Sequence, residues 1–317
     1  FIKNSLISPR FVALEVTEKC NLKCKHCYTS AKATQCKFLP KETVFKLIDE
    51  LSLYGTEFIA IGGGEPLLYP YIYEVIEYAI SKNIEIELVS NGTLLTDQIL
   101  NKLKNSGLKY LQVSLDGESN ETYKKIRGRD CFDLVVKNIK RATKLFNVSI
   151  SAVLCKPNYD HIFEIAKIAE DAKADSFRVL RLMSVGRGEE NSSELQITNE
   201  MFERFLKKLP KRQKEYKIKI RMDENMLSNF SRKKIPWLDE GFFGCSAGRS
   251  TIGIDPQGFV YPCSFLHYDE MICGNIKETS VMDIWKNSSV LSKFRNIDSL
   301  EGKCADCSFK NNCLGGW

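Results

Sequence analysis

The sequence predicts an α/β fold: a six-stranded parallel sheet shaped as an open partial (β/α)6 barrel, followed by a small cysteine-rich C-terminal portion. Two observations carry this. Short β-rich runs at 11–16, 58–61, 84–89, 110–115, 148–154 and 177–183 alternate with amphipathic stretches at 41–53, 72–81, 97–105, 132–146 and 162–172. Such alternation gives parallel strands with outer helices. A closed barrel of this kind needs eight strands, so six imply an open one. The second observation is that the rhythm fades after Arg187-Gly188 and cysteines crowd the last quarter of the chain. The expected organisation is a barrel over 1–188, a helical bridge over 189–240 and a cysteine-rich domain over 241–317.

Composition narrows the class. A chain of 317 residues with 43% hydrophobic content can bury a large core. Its twelve cysteines accompany no apolar signal segment, which argues against a secreted disulfide scaffold and for metal or redox chemistry in a reducing cytoplasm. No apolar run approaches the roughly 18 residues of a membrane span. The net charge is +6, and Lys207, Lys208, Lys211, Arg212, Lys214, Lys217, Lys219 and Arg221 form a basic run. With few aromatics to stack bases, it reads as a solvated helix end and linker rather than a nucleic-acid surface. A nucleic-acid-binding iron–sulfur or zinc protein is the alternative that this run alone suggests.

The first strand leads into Cys20-Asn21-Leu22-Lys23-Cys24-Lys25-His26-Cys27, a C-x3-C-x2-C loop. Three thiolates on one loop hold three irons of a four-iron cluster and leave the fourth open, whereas a closed cluster takes four cysteines. A zinc site is the competing reading, but only His26 lies nearby to complete one. The second strand ends in Gly62-Gly63-Gly64-Glu65-Pro66, where glycines admit close backbone approach and a carboxylate can accept from an ammonium group. Ser90-Asn91 follows the third strand and Ser114-Leu115-Asp116-Gly117 closes the fourth. These side chains suit a ligand's hydroxyls, or simply cap turns. Arg127 is a candidate charge-assisted partner for a carboxylate, or a surface charge. Beyond the fifth strand Cys155 is either a ready hydrogen-atom donor or a small buried hydrophobe, while Cys36 and Cys131 read as small buried hydrophobes.

This succession of motifs resembles the radical S-adenosylmethionine (radical SAM) superfamily, and the resemblance covers essentially the whole chain. It implies an open-site [4Fe-4S] cluster on Cys20, Cys24 and Cys27, with S-adenosylmethionine chelated to the open iron and cleaved reductively to a 5'-deoxyadenosyl radical. Gly62, Gly63, Gly64 and Glu65 would then receive the methionine amino group. Ser90, Asn91, Ser114 and Asp116 would meet ribose and carboxylate, Arg127 the carboxylate, and His26 and Leu154 the adenine. The six-stranded partial barrel is also that family's core.

The C-terminal cysteines are similar to SPASM and twitch extensions of the same family. Cys245 is followed by Gly258-x4-Cys263 and then by Cys304-x2-Cys307-x5-Cys313. The pattern departs at Trp317, where another cysteine is expected. Five thiolates close one cluster and not two, so the expectation is a single auxiliary cluster, [4Fe-4S] or [2Fe-2S]. Cys245 and Cys263 would be joined across a turn at Pro256-Gln257-Gly258, with the other ligands from Cys304, Cys307 and Cys313. A zinc ribbon is the alternative, and Cys273 reads as a buried thiol.

The resemblance implies a radical SAM oxidoreductase or isomerase. Its substrate would most often be a ribosomally made peptide that is crosslinked, epimerised or oxidised, the alternative being a small molecule or tetrapyrrole precursor. Epimerisation is the outcome that a hydrogen-donating Cys155 would produce. An electron donor such as ferredoxin or flavodoxin is implied as well. Few residues precede the first strand, so a peptide would be held by the barrel and C-terminal domain or presented by a separate leader-recognition protein.

Overall fold

A computed structural model describes residues 7–222, 244–308 and 310–315. The expected strands are all present: β1 Phe11–Thr17, β2 Phe58–Gly63, β3 Glu85–Ser90, β4 Tyr110–Ser114, β5 Asn147–Leu154 and β6 Ser176–Arg181. They pair in chain order and in parallel. Between them run the helices α1 Lys41–Leu53, α2 Ile72–Ser81, α3 Asp97–Asn105, α4 Asn120–Arg127, α5 Phe132–Ala142 and α6 Ile162–Asp171. Side-chain caps start two of them. Thr96 accepts from the Ile99 amide at 3.3 Å and Ser119 from the Thr122 amide at 3.3 Å. Helix α4 stops at Gly128, whose φ of 77° is the left-handed conformation that glycine adopts freely.

The two faces of the sheet differ. Leu88, Leu111, Val113, Val148, Ile150 and Phe177 are completely buried on the helix side. The opposite face is polar, with Arg178 donating to Gln112 at 2.6 Å and lying 3.8 Å from Glu87. Burial of one face against helices and exposure of the other to a polar interior explains why these parallel strands alternate instead of reading as unbroken apolar runs. One cavity of about 950 Å3 is lined from β1 by Phe11, β2 by Phe58, β4 by Tyr110 and β6 by Arg178, so the sheet curves around it.

After β6 come the short helices α7 Arg187–Glu190 and α8 Ser192–Leu195 and the longer α9 Asn199–Gln213. The sequence reading runs a helical bridge from here to 240, ending at Pro236-Trp237, which lie outside the described residues. Within the bridge the structure adds a strand, β7 Lys219–Met222, parallel to β6. Its charged Lys219 and Arg221 are exposed, Arg221 lining the same cavity as Arg178, while Ile220 is buried, and the surrounding basic run masks that alternation in the sequence.

The C-terminal portion extends the same sheet from its other side. Strand β8 Thr251–Ile254 pairs in parallel with β1, then antiparallel with β9 Phe259–Tyr261, which pairs with β10 Gly274–Asn275. The order is β10-β9-β8-β1-β2-β3-β4-β5-β6-β7, and among the described residues β7 and β8 do not pair. Helices α10 Val281–Asn287 and α11 Ser289–Arg295 pack this portion down. The Val281 amide donates to Glu50 of α1 at 2.8 Å. No helix among the described residues is long and apolar enough to cross a membrane.

Candidate active site

The C-x3-C-x2-C loop leaves β1 at the C-terminal edge of the sheet. Its backbone is fixed from three directions. The Cys20 amide donates to Lys32 O at 2.7 Å and the Lys25 amide to Ile126 O at 2.9 Å. Arg187 straps the remainder, donating through Nε to Cys24 O at 2.8 Å, through Nη1 to Ala31 O at 2.9 Å and through its amide to Cys27 O at 3.0 Å. The sequence offered no signal for this role beyond an Arg-Gly pair at the end of the βα rhythm.

Cys20 and Cys24 are 9% and 6% exposed, and N–H groups are aimed at their sulfurs. The Leu22 amide lies 3.4 Å and Asn91 Nδ2 3.9 Å from Cys20 Sγ, and Arg127 Nη1 lies 3.7 Å from Cys24 Sγ. Burial pushes the Cys20 thiol up and the Cys24 thiol up to about 11, with Arg127 pulling the other way. Without metal these groups are thiols, and iron must displace their protons. Among the described residues no three Cys, His, Asp or Glu side chains converge as ligands of one ion. A four-iron cluster takes its thiolates at separate irons, and the donors around these sulfurs suit thiolate acceptors, so the loop fits a cluster better than a single ion.

Gly63 and Gly64 interlock with this loop. The Gly64 amide donates to Thr17 O and the Glu65 amide to Lys19 O, both at 2.7 Å. A Cβ on Gly64 would sit 2.2 Å from Lys19 O, and one on Gly63, whose φ is 115°, 2.6 Å from Thr17 O. Two of the three glycines that the sequence reading gave to a ligand, Gly63 and Gly64, are thus required by the chain's own turn into the cysteine loop. A Cβ on Gly62 would meet only Val89 at 3.8 Å.

Glu65 is fully buried and its oxygens are occupied. They accept from Ser90 Oγ at 2.9 Å, the Asn91 amide at 2.8 Å and the Leu67 amide at 3.3 Å. Burial pushes this carboxyl up to about 7 against the pull of those donors. Asn91 in turn donates to Asn21 Oδ1 at 2.8 Å, so the loops after β1, β2 and β3 form one hydrogen-bonded unit.

Asp116 organises the other half. Its carboxylate accepts from Arg127 Nε, from the Val153 amide at 2.7 Å and from His26 Nε2 at 2.7 Å. Burial alone would raise this carboxyl, but Arg127 and His26 hold it well below the ordinary carboxylate range. Arg127 is therefore already paired, where the sequence reading left it free for a ligand carboxylate. Ser114 is partly buried beside Ser151 of β5. Asn158, which the sequence reading missed, is completely buried and donates to Asp116 O and Val153 O, both at 2.9 Å.

Leu154 is 1% exposed and shares the helix-facing side of β5 with Val148, Ile150 and Ala152, a packing position. Cys155 has no exposure and packs with Ile126, Leu182 and Leu195, its Sγ 3.6 Å from Asn158 Oδ1. Burial, with Asp116 nearby, pushes its thiol far up.

In the C-terminal portion the β8–β9 hairpin turns at Gly258, whose φ is 90° and whose amide donates to Asp255 O at 3.0 Å. The Gly248 amide donates to Pro262 O at 2.9 Å, placing the loop after Cys245 beside Cys263. The Cys245 amide donates to Cys313 O at 3.0 Å, and the Cys307 amide to Cys304 O at 3.4 Å. Burial pushes Cys263 up to about 12 and Cys273 up to about 11. Cys304 is exposed, and all twelve cysteines are free. Trp317 lies outside the described residues.

Comparison with known proteins decides the family. The Radical SAM superfamily model matches residues 14–169, and the iron-sulfur cluster-binding SPASM domain matches 245–308. An AdoMet-dependent heme synthase of Methanosarcina barkeri is 30% identical over 97% of this chain and 91% of that protein. The chain belongs to the radical SAM superfamily. The mycofactocin maturase MftC of Mycobacterium tuberculosis is 29% identical over 99% of this chain and 79% of its own. Among solved structures, Streptococcus suis SuiB bound to S-adenosylmethionine superposes with a TM-score of 0.79 at 20% identity, covering 99% of this chain and 74% of that one. As a radical SAM enzyme with a SPASM domain, the protein uses a [4Fe-4S] cluster, an auxiliary iron–sulfur cluster and S-adenosylmethionine.

Proposed function

We propose that this radical SAM enzyme modifies a ribosomally synthesised peptide. The observation that carries the reading is the likeness over 99% of the chain to a mycofactocin maturase. The fold is also that of SuiB, solved with its precursor peptide SuiA, at a TM-score of 0.78. A second reading, action on a tetrapyrrole precursor, is favoured by the 30% identical heme synthase.

When bound, the cluster and S-adenosylmethionine supply a 5'-deoxyadenosyl radical that removes hydrogen from an unactivated carbon. The chain's own residues fix where this happens. Cys20, Cys24 and Cys27 are assigned to the open-site cluster, with Asn91 and Arg127 donating toward its thiolates. Glu65 is assigned to holding Ser90 and Asn91 in place, and Asp116 to holding His26 in one orientation beside the third cysteine. Arg127 is assigned to Asp116 and Cys24, leaving the ligand carboxylate to other groups. Cys245, Cys263, Cys304, Cys307 and Cys313 are assigned to the auxiliary site. Cys155 is assigned to packing, since its sulfur is completely buried, beside Ile126, Leu182 and Leu195 and 3.6 Å from Asn158 Oδ1. Deuterium from deuterated water at the product carbon, lost in Cys155→Ala, would restore the hydrogen-donor role.

The test is anaerobic turnover with reductant. A short peptide encoded beside the gene should stimulate 5'-deoxyadenosine formation and change mass, while tetrapyrrole carboxylates should do neither. Stimulation by the tetrapyrrole alone reverses the order of the two readings. Replacing Cys20, Cys24 and Cys27 by Ala should abolish 5'-deoxyadenosine formation yet leave auxiliary iron, about four atoms if that cluster is of the four-iron type.

A further inference from the structure

Arg249 is among the largest fully buried side chains of the molecule, at 2% exposure. It lies in the turn that follows Cys245, where its amide donates to Ser246 O at 3.0 Å. Its Nη1 donates to Arg295 O at 3.2 Å. Arg295 donates through Nε to Gly248 O at 2.7 Å and packs over Trp285 at 4.2 Å, and its buried Nη2 has no hydrogen-bond partner among the described residues. Two guanidinium groups thus repel each other in one neighbourhood, and neither is matched by a carboxylate among the described residues. The anion-forming groups acting on them are thiols, Cys245 for Arg249 and Cys273 for Arg295. Cys245 and Arg249 also line the same cavity.

A buried cation without a counter-charge is strongly unfavourable, and arginine does not escape by losing its proton. Something negative must complete this neighbourhood. We propose that Arg249 is the built-in counter-ion of the auxiliary iron–sulfur site, a positioning residue that neutralises the cluster and raises its reduction potential. The proposal rests on the assignment of Cys245 to that cluster. A thiolate-ligated cluster is negative and becomes more so when it takes up an electron, so a fixed adjacent cation favours the reduced form. Lysine would retain the charge, and methionine would retain most of the volume without it.

The experiment uses the protein in which Cys20, Cys24 and Cys27 are Ala, so that only auxiliary iron remains, with electron paramagnetic resonance following a redox titration. In this background Arg249→Met should shift the oxidised-to-reduced equilibrium at least tenfold toward the oxidised form, about 59 mV for one electron. Arg249→Lys should recover most of the shift. With iron stripped by a chelator the sign reverses: Arg249→Met should melt at a higher temperature than its parent, because the uncompensated cation is gone. An unchanged potential in Arg249→Met overturns the proposal, as does failure of Arg249→Lys to restore it. If Arg249→Met takes up no iron, uptake by Arg249→Lys at the parental potential supports the proposal, and absence of iron from both overturns it. Absence of iron from the parent itself removes the auxiliary assignment as well, which separates the two failures.

Discussion

Asp116 holds two neighbours at once, the Arg127 guanidinium and the His26 ring, so its removal is expected to be felt twice. Asp116→Asn leaves the Arg127 guanidinium buried without its carboxylate, and breaking such a pair typically costs about 3–5 kcal/mol. Urea denaturation of the iron-free protein should show that loss. Glu65 behaves oppositely. Its carboxyl is raised from 4.5 to about 7 in the folded chain, so the folded state holds a proton that the unfolded state gives up. Stability of the iron-free protein should therefore fall as pH rises from about 4.5 toward 7, and Glu65→Gln should flatten that slope. Both residues were visible in the sequence as polar groups at strand ends. Their partners were not, because Glu65 meets Asn91 and Asp116 meets His26 and Val153 across loops that sequence spacing leaves undetermined. Asn158 and Arg187 escaped for a related reason: each acts by hydrogen bonding to backbone carbonyls, which any chain offers.

Periodicity located all six strands of the central sheet, because alternation between an apolar helix-facing side and a polar inner side survives in the residue order. It missed β7, four residues long with two of them basic, and it did not join β8 to β1, since parallel pairing between distant segments leaves no local trace. The glycine loop shows the complementary limit. Its residues were readable as permissive backbone, while the object they approach is the turn after β1. Gly64→Ala should force Lys19 O and the new Cβ apart, costing about 1–3 kcal/mol and displacing the cysteine loop. Thermal denaturation and 5'-deoxyadenosine yield should both register it, whereas Gly62→Ala, with only Val89 at 3.8 Å, should leave stability nearly unchanged.

At the scale of the whole molecule, the basic run begins along one helix. Helix α9 displays Lys207, Lys208 and Lys211 beside a groove that Tyr159 and Phe163 help to line, and Lys214 caps its end. Arg212 differs, since it pairs with Glu215 at 2.6 Å and lies 4.9 Å over Phe163. Reversing the charge of Lys207, Lys208, Lys211 and Lys214 therefore tests electrostatics without unpacking the helix. If an acidic peptide segment is attracted there, turnover should fall at low salt and converge with the parent at high salt. Equal turnover at all salt concentrations assigns the run to solvation. The pairing of β8 with β1 has a different implication for anyone dissecting the enzyme. Truncation before Cys245 would bare the flank of β1, with unpaired backbone groups along Phe11 to Leu14. Such a strand recruits other chains, so a shortened protein should appear as insoluble oligomers, and its inactivity would report aggregation rather than the loss of an electron-carrying centre.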